Sequence, residues 1–152
     1  MERSDAVTWM RSALLILLLA APGVLHAAER AVVLVVNADS EVLQLEPIEV
    51  QKLFLGIPVV RANHMLHPVL NRSDGQLSNV FLQHIVAMSQ SAYDRRILAQ
   101  VIQQGRPRPL ELSNSKQLLG ALVEDRFAVS YMWRHDIPTT PRLRILRVLW
   151  TE

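Results

Sequence analysis

The stretch Asn71-Arg72-Ser73-Asp74-Gly75-Gln76-Leu77-Ser78-Asn79-Val80-Phe81 determines the fold predicted for this chain. An apolar, strand-like run at residues 65–70 precedes it. Apolar residues follow at helical spacing, so a helix is expected to start near Ser78; they are Leu77, Phe81, Ile85 and Met88. A strand, a tight turn and a helix start present free backbone N–H groups and the positive end of the helix dipole to one place. That arrangement favours an anion.

Five residues of this turn are candidates for holding an oxyanion. Arg72 supplies a planar fork of donors that matches phosphate or carboxylate oxygens. Ser73 and Ser78 can donate hydroxyl hydrogens, and Gly75 lets the backbone approach closely. Asp74 would orient Arg72. The alternative is a polar turn without a ligand, in which Asp74 caps the helix and pairs with Arg72.

The same stretch resembles the Arg-Ser-Asp-Gly-Ser-Gly-Thr turn of the phosphate-binding proteins of ABC uptake systems. Residues 72–75 match that turn position by position. Gln76 stands where the family has Ser, Leu77 where it has Gly, and Ser78 where it has Thr. One hydroxyl donor is therefore lost at Gln76, and the branched Leu77 restricts the approach of the backbone.

Further pieces of the chain resemble this family in the same order, so that the likeness covers about residues 31–133. These are residues 31–37 with 45–56, then Gln-Gly-Arg-Pro-Arg-Pro at 104–109, then Phe-Ala-Val-Ser-Tyr at 127–131. The resemblance implies the type 2 periplasmic solute-binding fold, in a short member with one lobe. The expected architecture is α/β: a single three-layer-like lobe with a mixed sheet flanked by helices.

Local patterns agree with that architecture. The apolar run at 31–36 predicts a strand buried on both faces, and Pro47 and Gly56 bound a short helix. A third helix is expected to be capped by Ser91, and a fourth by Ser113 or Asn114. The third carries an apolar stripe of Ile97, Leu98, Val101 and Ile102. Residues 127–133 and 142–150 read as strands, and the arginines of the last, Arg142, Arg144 and Arg147, are typical of an edge strand protected by charge.

The N-terminal segment has the layout of a secretory signal peptide. An unbroken apolar run at 13–21 follows Arg3 and Arg11, Pro22-Gly23 breaks it, and Ala27 offers a cleavage point. We therefore divide the chain into a signal peptide at 1–27 and a solute-binding-protein-like domain at 28–152, and we expect a periplasmic location. An uncleaved anchor is the alternative.

Composition narrows the function classes. A formal net charge of +2 with interspersed acidic residues does not indicate a nucleic-acid binder. The chain has no Cys and none of the common nucleophile, P-loop or dinucleotide motifs, so we expect neither an enzyme nor a cofactor. His64 and His67 lack the further ligands that a metal needs, so no metal site is expected.

Two functions remain. The first is an exported domain that binds phosphate or a similar oxyanion at the turn, with an ABC permease, a sensor protein or a homodimer as partner. A single lobe leaves the anion solvated, where attraction at 4 Å is only about 1 kcal/mol per charge pair. The second is a periplasmic interaction or sensory accessory protein that has lost ligand binding.

Overall fold

The computed structural model describes residues 30–139 and 142–152. The predicted signal peptide at 1–27 and the first residues of the domain lie outside this part. The described elements are, in chain order, β1 (Ala31–Asn37), α1 (Pro47–Phe54), β2 (Val60–Arg61), β3 (His64–Met65), β4 (His67–Asn71), α2 (Gly75–Val80), α3 (Gln90–Gln104), β5 (Leu110–Leu112), α4 (Ser115–Glu124), β6 (Ala128–Trp133) and β7 (Leu143–Thr151). One π-helical turn, Phe81–Val86, continues α2, and one 3₁₀ turn, Arg134–Asp136, follows β6.

Five strands form one mixed sheet in the order β5-β4-β6-β1-β7. β4 runs parallel to β5 and β6, whereas β1 runs antiparallel to β6 and β7. The carboxyl ends of β4 and β6 and the amino end of β1 therefore lie side by side, at the same end of these neighbouring strands. The short strands β2 and β3 form a separate hairpin. The predicted α/β class with a mixed sheet is confirmed.

The central strand β1 is buried along its whole length, as its apolar run predicts. Successive side chains of a strand point to opposite faces, and here they enter two separate cores. Val32, Leu34 and Val36 pack in the larger core with residues of α1, α2, the π turn and α3. Val33 and Val35 pack in a smaller core with residues of α4. Helices thus flank the sheet on both faces, as expected for a layered lobe.

Two helix starts differ from the sequence prediction. The helix after β4 begins at Gly75 rather than near Ser78, because the Asp74 side chain caps it. Helix α3 is capped by Ser89 rather than by Ser91. By contrast, α1 begins at Pro47 as predicted, and Asn114 caps α4.

The predicted stripe of α3 is wrong in part. Leu98 and Ile102 are 46% and 73% exposed, while Tyr93 and Ile97 make the buried contacts. Strand β7 lies at the sheet edge as predicted, but its arginines are not merely solvated. Arg144 and Arg147 donate to backbone carbonyls of the segment at residues 40–45, which links that segment to the strand.

Within the described part of the chain, no helix combines the length and apolar character needed to cross a membrane.

Candidate oxyanion site

Asn71, the last residue of β4, organises the turn. Its side chain is buried and donates from Nδ2 to the Tyr131 carbonyl at 3.0 Å. Its Oδ1 accepts from the Ser73 amide at 3.0 Å and from the Ser73 hydroxyl at 2.6 Å. An Asn side chain that bonds to the backbone two residues on forms an Asx turn. The chain therefore leaves the sheet at a defined angle, which fixes the start of α2.

Asp74 is the helix cap. Its Oδ1 accepts from the amides of Gln76 at 2.7 Å and Leu77 at 3.3 Å. Its Oδ2 accepts from the indole Nε1 of Trp133 at 2.8 Å. The Trp133 hydrogen bond lowers the pKa of the Asp74 carboxyl against the opposing effect of burial, and the two amides and nearby Arg30 lower it further. The carboxylate is therefore charged at neutral pH, and it takes two of the helix N–H groups that an anion would use.

The two candidate hydroxyls are also engaged within the turn. Ser78 is buried, and its hydroxyl donates to the Asn71 carbonyl at 3.2 Å. The Ser73 hydroxyl donates to Oδ1 of Asn71. Gly75 is exposed, and a Cβ placed there would meet no atom within 4 Å. A side chain at Gly75 would therefore meet no clash, and a ligand at the turn must compete for the serine donors.

Arg72 does not pair with Asp74, contrary to the sequence expectation. Its Nη1 donates to Gln90 Oε1 at 2.7 Å, and its Nε lies 3.5 Å from Glu111 Oε2. The side chain is only 15% exposed. Its Nη2 is buried and has no hydrogen-bond partner within residues 30–139 and 142–152. The guanidinium is thus held by residues of α3 and β5, while its buried Nη2 has no partner in the described residues.

Arg30 and Trp133 belong to the site although the sequence did not assign them to it. Arg30 Nη2 donates to Gln76 Oε1 at 3.0 Å, and the guanidinium carbon lies 4.7 Å from the centre of the Trp133 ring system. This distance is in the range of a cation–π contact. Arg30 precedes β1 and Trp133 ends β6, and these strands are antiparallel neighbours. The signal that could have found them is strand pairing, because it brings both ends to the edge where Asp74 lies.

The positive charges around the turn are balanced by acidic side chains, including Glu152, whose Oε2 lies 4.0 Å from Arg30 Nη1. Arg30 and Arg72 contribute two positive charges, and Asp74 and Glu111 contribute two negative ones. All four are in contact with, or belong to, the turn and its immediate neighbours. A small monovalent or divalent oxyanion would therefore meet donors and acceptors together, rather than a strongly cationic cleft.

The remaining sequence candidates lie elsewhere. His67 Nδ1 contacts Asp125 Oδ2 at 2.6 Å, and the His64 ring stacks on Phe127 with centroids 4.2 Å apart. No group of three or more His, Cys, Asp or Glu side chains that could hold a metal ion occurs in the described ranges. Arg106 lines a separate pocket at the opposite end of β4.

Comparison with known proteins finds solved structures that share the fold of this chain. No family model matches the sequence, and no curated protein matches it. Among solved structures, an ABC-type phosphate transport receptor from Vibrio cholerae aligns with 78% of this chain at a TM-score of 0.59 and 11% identity. The chain shares its fold with part of this receptor. A possible phosphate binding protein from Planctomyces limnophilus aligns with 78% of the chain at a TM-score of 0.53 and 12% identity.

This chain is much shorter than these structures. The aligned part covers 46% of the Vibrio cholerae chain and 41% of the Planctomyces limnophilus chain. The likeness agrees with the α/β fold expected from the resemblance at residues 72–75. At this level of identity it concerns the fold alone.

Proposed function

We propose that the chain is an exported, single-lobe solute-binding domain that takes phosphate or a related oxyanion at the turn formed by Arg72, Ser73, Asp74, Gly75 and Ser78. The single observation that carries this proposal is the buried Nη2 of Arg72, which lacks a partner in the described residues. A buried donor without an acceptor costs about 1–3 kcal/mol. An oxyanion that reaches this nitrogen recovers that free energy.

The two groups that now hold Arg72 are replaceable. Gln90 and Glu111 are both exposed side chains, so releasing them to water has a small cost. Hydrogen bonds from a guanidinium to an anionic oxygen are about twice as strong as neutral ones. A phosphate oxygen can therefore displace Gln90 from Nη1 while a second oxygen reaches Nη2, giving the two-pronged contact that the guanidinium favours.

Affinity of the isolated domain should be low. Asp74 and Glu111 repel a dianion, and the Ser73 and Ser78 hydroxyls must leave Asn71 to reach it. One open lobe also keeps the anion hydrated, where each charge contact is weak. We infer that a second wall, supplied by a homodimer, an ABC permease or a sensor protein, is needed for tight capture in the periplasm.

Calorimetry with phosphate tests the proposal. We expect the purified protein to bind phosphate weakly, with a dissociation constant in the millimolar range, and Arg72→Ala to abolish the signal. Arg96→Ala is the matched control, because Arg96 is exposed on α3. Circular dichroism would confirm that each variant is folded. Equal heats for Arg72→Ala and Arg96→Ala would contradict the assignment of this site.

A second candidate function is an interaction or sensory accessory domain without a ligand. It is favoured by the hydrogen bonds within the turn, which already engage the groups that a ligand would use. Asp74 accepts from the Gln76 amide, and both the Ser73 amide and the Ser78 hydroxyl donate to Asn71. It predicts no phosphate heat for any variant at millimolar ligand. It also predicts that a stable protein partner is recovered with the tagged chain from periplasm.

A further inference from the structure

A concave site lies away from the proposed oxyanion turn. It is a pocket of about 580 Å³ between the end of α1, the start of β4, the loop before β5 and the end of α4. We call it the Arg106 pocket. The start of β4 lines it, whereas Arg72 follows the other end of that strand. The length of β4 therefore separates the two sites.

The Arg106 pocket has an apolar floor. Leu53, Leu66, Val69 and Ala128 line it and are buried. At its rim, the apolar side chains of Met65 and Leu110 are more than half exposed. The volume lies within the range of pockets that enclose drug-sized ligands, which are usually apolar with a few placed polar groups. An apolar body would remove this surface from water, at about 25 cal/mol per Å².

The charged groups of the pocket are arranged asymmetrically. Arg106 is half-buried, and its Nη1 donates to the Gly56 carbonyl at 3.3 Å, which holds the guanidinium at the wall. Arg108 lines the pocket from the same loop. On the α4 side, Asp125 is already engaged, because its oxygens contact the Phe127 amide and the His67 ring.

The other acid of the lining, Glu124, is exposed and can turn into water. Arg106 thus presents a positive charge that is held at the pocket wall, whereas the Asp125 carboxylate is bonded to its own neighbours. A guanidinium with free donors beside an apolar floor suits a carboxylate or sulfonate group attached to an apolar body.

We propose that the Arg106 pocket binds a small amphipathic organic anion, with its apolar part on the floor and its charged group on Arg106 and Arg108. The site is independent of the oxyanion turn. Inorganic phosphate lacks an apolar body and gains nothing from the floor. The ligand is therefore of a different class from that proposed for Arg72.

Titrations with three probes that share one alkyl chain separate the two features of the pocket. The probes are decanoate, 1-decanol and decyltrimethylammonium. We expect decanoate to bind about tenfold more tightly than decanol, because a hydrogen bond from a guanidinium to a carboxylate is stronger than one to a neutral hydroxyl; tenfold corresponds to about 1.4 kcal/mol. The cation should bind most weakly. Equal binding of all three probes, or of none, would overturn the proposal.

Variants locate the binding. The double variant Arg106→Gln/Arg108→Gln should lower decanoate affinity to that of decanol and leave decanol binding unchanged. Ala121→Trp should abolish both, since Ala121 lines the pocket from α4 and a large ring would fill it. Arg96→Gln, an exposed change outside the lining, should have no effect. Unchanged decanoate binding in Ala121→Trp, with the fold confirmed by circular dichroism, would refute the location.

The phosphate experiment and this one can fail separately. Loss of phosphate binding in Arg72→Ala should leave decanoate binding intact, and the pocket variants should leave phosphate heats intact. If Arg72→Ala removed decanoate binding, the anion would be bound at the turn and the Arg106 pocket would be refuted as its site.

Discussion

Replacing Asp74 by Ala tests how the turn is held together. This one carboxylate caps α2 through the Gln76 and Leu77 amides and also accepts the Trp133 indole N–H. Loss of an Asp cap costs about 1 kcal/mol. Trp133 is 2% exposed, so its indole donor would be left buried without an acceptor, which costs about a further 1–3 kcal/mol. We expect a total loss of about 2–4 kcal/mol in the free energy of unfolding.

Urea unfolding followed by circular dichroism measures this loss. For a domain of this size it corresponds to a fall in Tm of about 8–15 °C. Asp74→Asn should lose roughly half as much free energy of unfolding. An Asn side chain has one acceptor oxygen, which can accept either from the helix amides or from the Trp133 indole, but not from both. The denaturant dependence should not change between variants, because the same surface is exposed on unfolding.

The matched control is Asp94→Ala. Asp94 is an exposed residue of α3 whose carboxylate accepts only from the Gln90 side chain among the described residues. An exposed change of this kind costs less than about 0.5 kcal/mol. If Asp74→Ala were no more damaging than Asp94→Ala, the cap and the Trp133 contact would not stabilise the turn.

Three further predictions concern pH and the buried core. Because the folded pKa of Asp74 is lowered, its stabilisation is present above the unfolded value of about 3.9 and is lost as pH falls through the folded value; acid unfolding should therefore be less steep in Asp74→Asn than in wild type. Burial raises the pKa of both tyrosines of the chain, Tyr93 and Tyr131, so stability should fall as pH rises above about 10, and tyrosinate absorbance should appear only with unfolding; absorbance that rises before the circular dichroism changes would contradict this. Ser130→Ala removes a buried hydroxyl that donates to the Val69 carbonyl at 2.7 Å, and it should cost about 1–3 kcal/mol in urea unfolding, whereas a neutral result would show that the carbonyl finds another donor.

Local sequence patterns correctly predicted the elements whose formation depends on residues that are close together along the chain. The apolar run at β1 predicted a strand buried on both faces, and Pro47 marked the start of α1. The alternative of Asp74 as a helix cap also followed from residue type alone. The predicted apolar stripe of α3 was wrong in part, because helical spacing cannot tell which face of the helix is buried when apolar residues occur on two faces. Tyr93 and Ile97 are buried, with the Tyr93 hydroxyl donating to the Phe54 carbonyl at the end of α1, whereas Ile102 is exposed.

The contacts of the candidate site could not be predicted from the sequence. Arg72 and Asp74 are two positions apart, which suggested a pair, but the strand end turns their side chains toward different partners. Arg72 turns to Gln90 and Glu111, and Asp74 turns to Trp133. The separation of 59 positions between Asp74 and Trp133 leaves no local pattern to read.

The sequence by itself determined the α/β class, the polar turn after β4 and the residue types of that turn, for which oxyanion binding is proposed. These follow from local sterics, capping and hydrophobic periodicity. Only the tertiary structure decided which donors remain available and how charges are paired. The pairing of β1 with β6 brings Arg30 and Trp133 to the turn, and the approach of α3 and β5 brings the partners of Arg72. Hydrogen bonds depend on distances in space, and the folded sheet sets those distances between residues that are remote along the chain.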